Sequence, residues 1–288
     1  MTNAKTVSVA ANIFRCSALQ SAWHSADHPC HSVVIDQFRN PLIQGDASEQ
    51  SLAIPPRADE IRVPEPWRGD IEHAALLFLI GHIPGNLTGD SPLAGQSDVQ
   101  IAGFYCGRDF EKHFPFTPHA EGKLRRKTAP LWQGIRKRAE ELYGRKNPVP
   151  GIDYALTTLI HCSPHAQAGV TAAAAHCTQR HLAHVLSVAH PKVIVCLGKL
   201  AWHALEHFQW QDSARPLILA LPHPGSRQPR TTAILPAPLL QQAQTLLGGG
   251  GKPACGAFSF APLPQTQPLI PETLTQSRCR KHPAQALR

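Results

Sequence analysis

Four short, mainly apolar runs stand out along the chain, and each ends at a glycine, a proline or a polar residue. They lie at 74–80, 153–160, 192–198 and within RPLILALPHPG (215–225). Apolar runs of this length with little polar alternation are typical of β-strands that are covered on both faces. We therefore predict four strands of a parallel sheet.

Helical spacing of apolar residues fills the intervals between these runs. In LWQGIRKRAEELY (131–143), Leu131, Ile135 and Leu142 fall on one face and basic residues fall on the other. Further helices are predicted at 18–25, 170–189, 199–208 and 237–247. Strands that alternate with helices form βαβ units. The predicted fold is α/β, a three-layer α/β/α sandwich around a central four-stranded parallel sheet.

Periodicity also divides the chain into three parts. Residues 1–60 are weakly periodic and are interpreted as an N-terminal extension, and residues 61–248 form the predicted α/β/α domain. Residues 249–288 are rich in glycine, proline and polar residues, and they cannot bury enough apolar surface to offset the entropy of ordering. We predict a disordered basic tail there.

Charge narrows the class of partner. The chain of 288 residues has 28 Lys and Arg against 20 Asp and Glu, a formal net charge of +8. Such a balance suits a polyanion such as DNA, although basic solvated tails produce it as well. No apolar run reaches about 18 residues, and the first residues lack the layout of a secretory signal. We expect a cytoplasmic monomer without a membrane partner.

Eight cysteines in a chain of this type favour metal ligation, catalysis or simple burial over disulfides. Cys162 ends the second predicted strand, and Cys177 lies on the helix that follows, so their sulfurs could meet at one rim of the sheet. An iron–sulfur cluster needs four sulfur ligands, and Cys16 and Cys30 precede the sheet. The alternative is that these are ordinary buried cysteines, as is predicted for Cys196 inside the third strand.

Ligands of open parallel sheets bind beyond the carboxyl ends of the strands. His223 lies there between two prolines, whose rigidity suits a histidine that donates to an oxyanion or acts as an acid; a turn histidine is the alternative. Arg227 could bind phosphate or remain solvated. The GHIPGN loop (81–86) could bind an anion through backbone N–H groups. It matches neither a Walker loop nor GxGxxG, which argues against nucleoside triphosphate and dinucleotide binding.

Five segments in order carry a resemblance to a known family: GHIPG (81–85), SPLAG (91–95), LTTLIHC (156–162), PKVIVCLGKLAWHAL (191–205) and LPHPG (221–225). They resemble the uracil-DNA glycosylase superfamily, most closely its bacterial iron–sulfur branch, over roughly residues 60–248. The resemblance implies that Cys162 and Cys177 are two of four ligands of a [4Fe-4S] cluster. Cys30 and Cys16 are then the expected partners.

The resemblance also implies a reaction, in which a deaminated or damaged base is extruded from DNA and its N-glycosidic bond is hydrolysed. His223 would stabilise the anionic base, Asp90 would activate water and Arg227 would hold phosphate. The other residues implied in substrate binding are Gly81, His82, Ile83, Gly85, Asn86, Leu93 and Thr158.

Several positions depart from the family motifs. His82 replaces a glutamate, Ile83 stands where other branches carry an aspartate, Thr158 replaces a base-reading asparagine, and Leu93 replaces a stacking phenylalanine. A hydroxyl cannot reproduce the two-point contact of an amide. Two functions therefore stay open: a glycosylase of a divergent clade that acts in DNA repair, and a catalytically inactive nucleic-acid-binding module. Trp67 is expected to cover the sheet edge, with base stacking as the alternative.

Overall fold

A computed structural model describes the parts of the chain on which the candidate site is built. The described residues are 2–38, 64–82, 95–107, 117–118, 124–125, 130–162, 169–206, 208, 210, 215–224, 235–249 and 258–260. Within these ranges, no helix has the length and apolar character needed to cross a membrane.

Five parallel strands form the central sheet. Two further strands lie outside this sheet. Together, in chain order, the described strands are β1 (Leu76–Ile80), β2 (Thr117–Pro118), β3 (Leu124–Arg125), β4 (Tyr154–Thr158), β5 (Val193–Leu197), β6 (Leu217–Leu221) and β7 (Phe258–Phe260). The order across the sheet is β4-β1-β5-β6-β7, and β2 pairs with β3 in a separate antiparallel pair. The four predicted strands and their parallel arrangement are confirmed.

The fifth strand of the sheet differs from the prediction. β7 pairs in parallel with β6 through the register Ile218↔Phe258 and lies within 249–288, the segment predicted to be a disordered tail. An open edge strand leaves backbone N–H and C=O groups unpaired, and even three residues can satisfy some of them. Apart from Gly249 and β7, the predicted tail lies outside the described residues.

Helices flank the sheet and also build the N-terminal extension. They are α1 (Ala4–Phe14), α2 (Ala18–His24), α3 (His31–Phe38), α4 (Asp98–Tyr105), α5 (Pro130–Tyr143), α6 (Val170–Cys177), α7 (Ala183–Leu186), α8 (Lys199–Glu206) and α9 (Ala237–Leu247). A π-helical turn, Thr178–Leu182, joins α6 to α7. The helix predicted over 170–189 is therefore present but is interrupted in its middle.

Local capping explains two helices that the apolar pattern did not predict. α1 begins where the Thr6 N–H donates to Asn3 Oδ1 at 2.9 Å. α4 begins with a capping box, in which Ser97 and Gln100 bond each other's backbone N–H groups. Such caps satisfy N–H groups that the first turn of a helix leaves unpaired.

Two apolar cores lie on the two faces of the sheet, because alternate strand residues point in opposite directions. On one face, Leu77 and Leu79 pack with residues of α1, α4, α7 and α8. On the other face, Leu76, Phe78 and Ile80 pack with residues of α5 and α9. The α/β/α sandwich is confirmed, and α1 of the extension is part of its core.

Candidate functional site

The carboxyl ends of four strands meet at one edge of the sheet, which we call the carboxyl edge. The register pairs Ile80 with both Thr158 and Leu197, and Leu197 with Leu221. The residues that follow each strand therefore lie along the same edge. This places the predicted site residues Gly81, His82, Thr158 and His223 on a common rim, as the parallel arrangement requires.

His223 is half-buried directly after β6, and burial lowers the pKa of its imidazole. A Cβ atom built on Gly198 would lie 3.4 Å from His223 Cβ, so the loop after β5 packs closely against it. Gly198 also has a φ of +94°, a conformation that favours glycine. Since burial disfavours the charged ring, His223 is a neutral imidazole with a single N–H to donate at neutral pH.

His82 lies on the same edge as His223 and is near enough for the charge of His223 to affect its pKa. Burial lowers the pKa of His82, and the charge of His223 lowers it further. Gly81, the residue before it, is tightly packed, because a Cβ atom there would lie 2.9 Å from Leu200 Cδ2. The edge therefore carries two imidazoles that disfavour each other's protonation.

Helix α5 supports the His223 loop from the other face of the sheet. A Cβ atom built on Gly134 would lie 2.6 Å from Cβ and 2.9 Å from Cγ of Pro224. Such distances are shorter than a van der Waals contact, so only glycine fits at this position. The backbone of α5 thus fixes the proline that follows His223.

Among the other residues predicted at this edge, the structure describes Thr158. Thr158 ends β4 at this rim and is 8% exposed. The remaining predicted positions lie outside the described residues: Ile83, Gly85, Asn86, Asp90, Leu93 and Arg227. Their roles stay predictions.

Four cysteines from distant parts of the sequence meet beyond the end of β4. Cys30, Cys162 and Cys177 are buried in one apolar cluster with residues of α2, α3 and α6. Cys16 is half-buried between α1 and α2, and its charge acts on Cys177. These are the four cysteines that the sequence singled out, and we call them the four-thiol group.

The thiols of this group affect each other's pKa values. The pKa of Cys177 is well above its ordinary value, first because of its hydrogen bond with Cys30, then because of burial and the charges of Cys162, Cys30 and Cys16. The same hydrogen bond lowers the pKa of Cys30. Among the described residues, no three Cys, His, Asp or Glu side chains are grouped closely enough to hold one metal ion.

Two buried histidines adjoin the four-thiol group. His181 Nε2 lies 3.4 Å from Cys16 Sγ, and the His161 and His181 rings meet edge to face with centroids 5.3 Å apart. Burial lowers the pKa of His161 to about 4. Burial, aided by the charges of His161 and Arg180, lowers that of His181 to about 3.

The segment before β1 holds His161 in place. His161 Nδ1 donates to the Glu65 carbonyl at 2.8 Å, and the Glu65 N–H donates to the His161 carbonyl at 2.9 Å. The Glu65 carboxylate forms a buried ion pair with Arg68, whose Nε donates to it at 2.9 Å. Trp67, between Glu65 and Arg68 in sequence, is 1% exposed and lies in the core. It therefore has the expected structural role rather than an exposed face for base stacking.

Sequence reasoning missed His161, His181 and Arg180, although weak signals existed. His161 directly precedes Cys162, and His181 follows Cys177 by one helical turn. Their contacts join segments that are far apart in sequence, and no local pattern records such pairs. Cys196 is fully buried in β5, and burial raises the pKa of its thiol, which confirms it as a core residue.

Comparison with known proteins agrees with this arrangement. A search of curated proteins found no match to the chain. A family model described as the uracil DNA glycosylase superfamily matches residues 75–245, which run from the start of β1 into α9 and make up more than half of the chain. The chain therefore belongs to the uracil DNA glycosylase superfamily.

Proposed function

We propose that the protein binds DNA and hydrolyses the N-glycosidic bond of a deaminated or damaged base at the carboxyl edge. Members of the superfamily act on DNA, and the matched region contains both β1 with the first residues of its loop and β6 with His223. The observation that carries the proposal is the position of His223, half-buried beyond the end of β6 and on the same edge as His82.

The chemistry asked of His223 is stabilisation of charge. When the bond between sugar and base breaks, the electron pair leaves with the base, and water adds its oxygen to the anomeric carbon of the sugar. A neutral imidazole that donates one N–H to the anionic base stabilises this charge without transferring its own proton. Partial burial strengthens such a hydrogen bond because water no longer competes for it.

The remaining predicted residues complete this proposal. Asp90 orients and activates the water, and Arg227 binds a DNA phosphate. Gly81, His82 and Thr158 line the base pocket together with Ile83, Gly85, Asn86 and Leu93. The last four belong to the β1 loop and to SPLAG, and they supply shape rather than hydrogen bonds specific to uracil, apart from the Asn86 amide.

A second function keeps the scaffold and loses hydrolysis. The observation that favours it is His82, which occupies the position of the glutamate in the family motif while its pKa is lowered by burial and by His223. A nucleic-acid-binding module of this kind would still bind phosphates through its positive charge.

A strand-scission assay distinguishes the two functions. Oligonucleotides with a single uracil, hypoxanthine or xanthine are incubated with the full chain and then treated with alkali, which cleaves DNA at abasic sites. The enzyme produces scission at one or more of these bases and none in an undamaged oligonucleotide. DNA binding without scission at any of the three bases supports the module and contradicts the enzyme.

We further propose that Cys16, Cys30, Cys162 and Cys177 hold a [4Fe-4S] cluster. Around one zinc ion, tetrahedral thiolates are roughly 3.8 Å apart, whereas each cysteine of a cubane binds a different iron and stands farther from the others. The hydrogen bond between Cys177 and Cys30, together with the charges of Cys162 and Cys16 that act on Cys177, brings together the four sulfur ligands that a cubane requires. A bound cluster supplies a one-electron redox centre and a link between the extension and the domain.

An unsatisfied atom beside these thiols supports the same proposal. His176 precedes Cys177 and stacks edge to face on His28 at 5.0 Å. Its Nε2 is buried and has no hydrogen-bond partner within the described part of the chain. Buried polar atoms are normally paired, so this unpaired nitrogen supports a bound group beside Cys177.

Replacing Gly134 by alanine tests whether α5 positions His223. The added methyl group would overlap the rigid Pro224 ring, so the loop must shift, and displacement of a reacting group by about 1 Å can cost up to roughly a hundredfold in rate. We expect excision to slow by about ten- to a hundredfold, measured in single-turnover assays.

Gly103 provides the matched control for this substitution. It also lies within a helix, and a Cβ atom there would meet nothing within 4 Å. Gly103→Ala should leave the rate unchanged and stabilise α4 by up to about 1 kcal/mol. Equal rates for the Gly134 and Gly103 variants would show that the contact with Pro224 does not position the loop.

A further inference from the structure

We propose that His181 is a positioning residue for the cluster: its Nε2–H donates to the sulfur of Cys16 and raises the reduction potential of the bound [4Fe-4S] group. This inference rests on the proposed four-thiol site. It concerns residues of this chain outside the four cysteines themselves.

The contact between the two side chains is direct. His181 Nε2 lies 3.4 Å from Cys16 Sγ, within hydrogen-bonding distance for sulfur. An iron-bound thiolate carries no proton, so in that contact the imidazole must be the donor and the sulfur the acceptor. The tautomer with the proton on Nε2 is the one that the site selects.

Neighbouring groups fix the orientation of the His181 ring. Its edge-to-face partner His161 is 3% exposed, and His161 is held by two hydrogen bonds to the backbone of Glu65. Since a carbonyl oxygen only accepts, His161 Nδ1 carries the proton of that ring. His181 therefore packs against a ring that cannot turn freely.

The π-helical turn brings a second side chain to the same segment. Residues Thr178–Leu182 include His181 and Arg180, and Arg180 Nη2 donates to Ser17 Oγ at 2.5 Å. Cys16 and Ser17 are thus held by consecutive residues of one turn. π-Helical turns are rare overall, and many of those that occur lie at functional sites. The distortion of this helix is consistent with the contact between His181 and Cys16.

The expected consequence is electronic. Hydrogen bonds to the sulfurs are among the factors that set iron–sulfur potentials. A donor to a thiolate stabilises the more negative, reduced cluster, because reduction adds charge to the sulfurs. The reduced state is therefore favoured while His181 is in place.

Redox titration of the full chain, purified without oxygen, tests this role. We compare the wild type with His181→Leu, which lacks a donor, His181→Gln, whose amide N–H can donate, and His184→Leu, an exposed control on α7. One-electron reduction by dithionite is followed by the loss of visible absorbance. The midpoint potential should fall in His181→Leu, recover at least partly in His181→Gln and stay unchanged in His184→Leu.

The outcomes separate this inference from the cluster proposal. A coloured wild type and a folded His181→Leu protein with the same iron content and the same potential overturn the role of His181 alone. If His181→Leu is unfolded or has lost its iron, His181→Phe, which keeps a ring but has no donor, takes its place: a lowered potential supports the role and an unchanged potential overturns it. A wild type without iron overturns the cluster and this inference together.

Discussion

Cys177→Ser is expected to abolish iron binding. The pKa of Cys177 responds to all three other members of the four-thiol group, and its thiol is hydrogen-bonded to Cys30, so we choose it as the ligand to remove. The purified wild type should be brown, absorb near the blue end of the visible spectrum and contain about four irons per chain. The variant should be colourless, with iron close to zero.

Cys106→Ser is the matched control for this experiment. Cys106 is also half-buried, but its thiol is influenced by Trp67, Asp70 and Glu72 and not by the four-thiol group. This variant should retain the full iron content. Iron content of Cys177→Ser equal to that of Cys106→Ser would show that Cys177 is not a required ligand and would contradict the proposed set of four.

His223→Ala should slow base excision by a factor of roughly 10² to 10³, the usual cost of removing one donor to a developing negative charge. Substrate binding should change less, because DNA affinity comes mainly from phosphate contacts. Single-turnover excision rates on the best substrate of the scission assay provide the measurement.

His190→Ala is a suitable control for the His223 variant. His190 is exposed and precedes β5, so it lies toward the amino ends of the strands rather than at the carboxyl edge. Both variants should have the same unfolding temperature as the wild type. An unchanged excision rate in His223→Ala would remove His223 from the mechanism.

The N-terminal extension has a role in this account that the sequence alone did not establish. α1 packs into the sheet core through Val9, Ile13 and Phe14, and the chain then turns through Cys16. Cys30 follows on the approach to α3. The extension therefore contributes half of the four-thiol group, although the family match begins only at residue 75.

The central strands could be predicted because burial on both faces leaves a continuous apolar signal. β1 and β5 are apolar at every position, and all their residues are buried. The same regularity placed His82 and His223 on one edge, since parallel strands deliver their carboxyl ends together. The edge of the sheet that carries the site can thus be predicted once the parallel strands are identified in the sequence.

Other elements could not be predicted from periodicity. α1 contains Thr6, Val7 and Val9, which have low intrinsic helix propensity, and tertiary packing decides its structure. α4 contains Gly103 and exposes Val99, so it has no clear apolar period, and its start is defined in the structure by the Ser97–Gln100 capping box. β7 has three residues, too few for any period, and its partner β6 lies far away in the sequence.

The four-thiol group was predictable in part. The position of Cys162 after β4 and of Cys177 on the next helix follows from the βαβ pattern. The position of Cys16 beside the other thiols and the presence of the π-helical turn involve contacts between segments more than 150 residues apart, such as Cys16 with His181. No local propensity encodes a contact of that kind.

Direct detection of the released base tests the central claim, that the carboxyl edge with His223 excises a base from DNA. Purified full-length protein is incubated with a duplex that contains one isotopically labelled uracil, and the free base is quantified by mass spectrometry, with hypoxanthine and xanthine duplexes in parallel. The account predicts a labelled free base from at least one duplex and about a hundredfold less from His223→Ala. Tight binding of all three duplexes with no free base from any of them would contradict it.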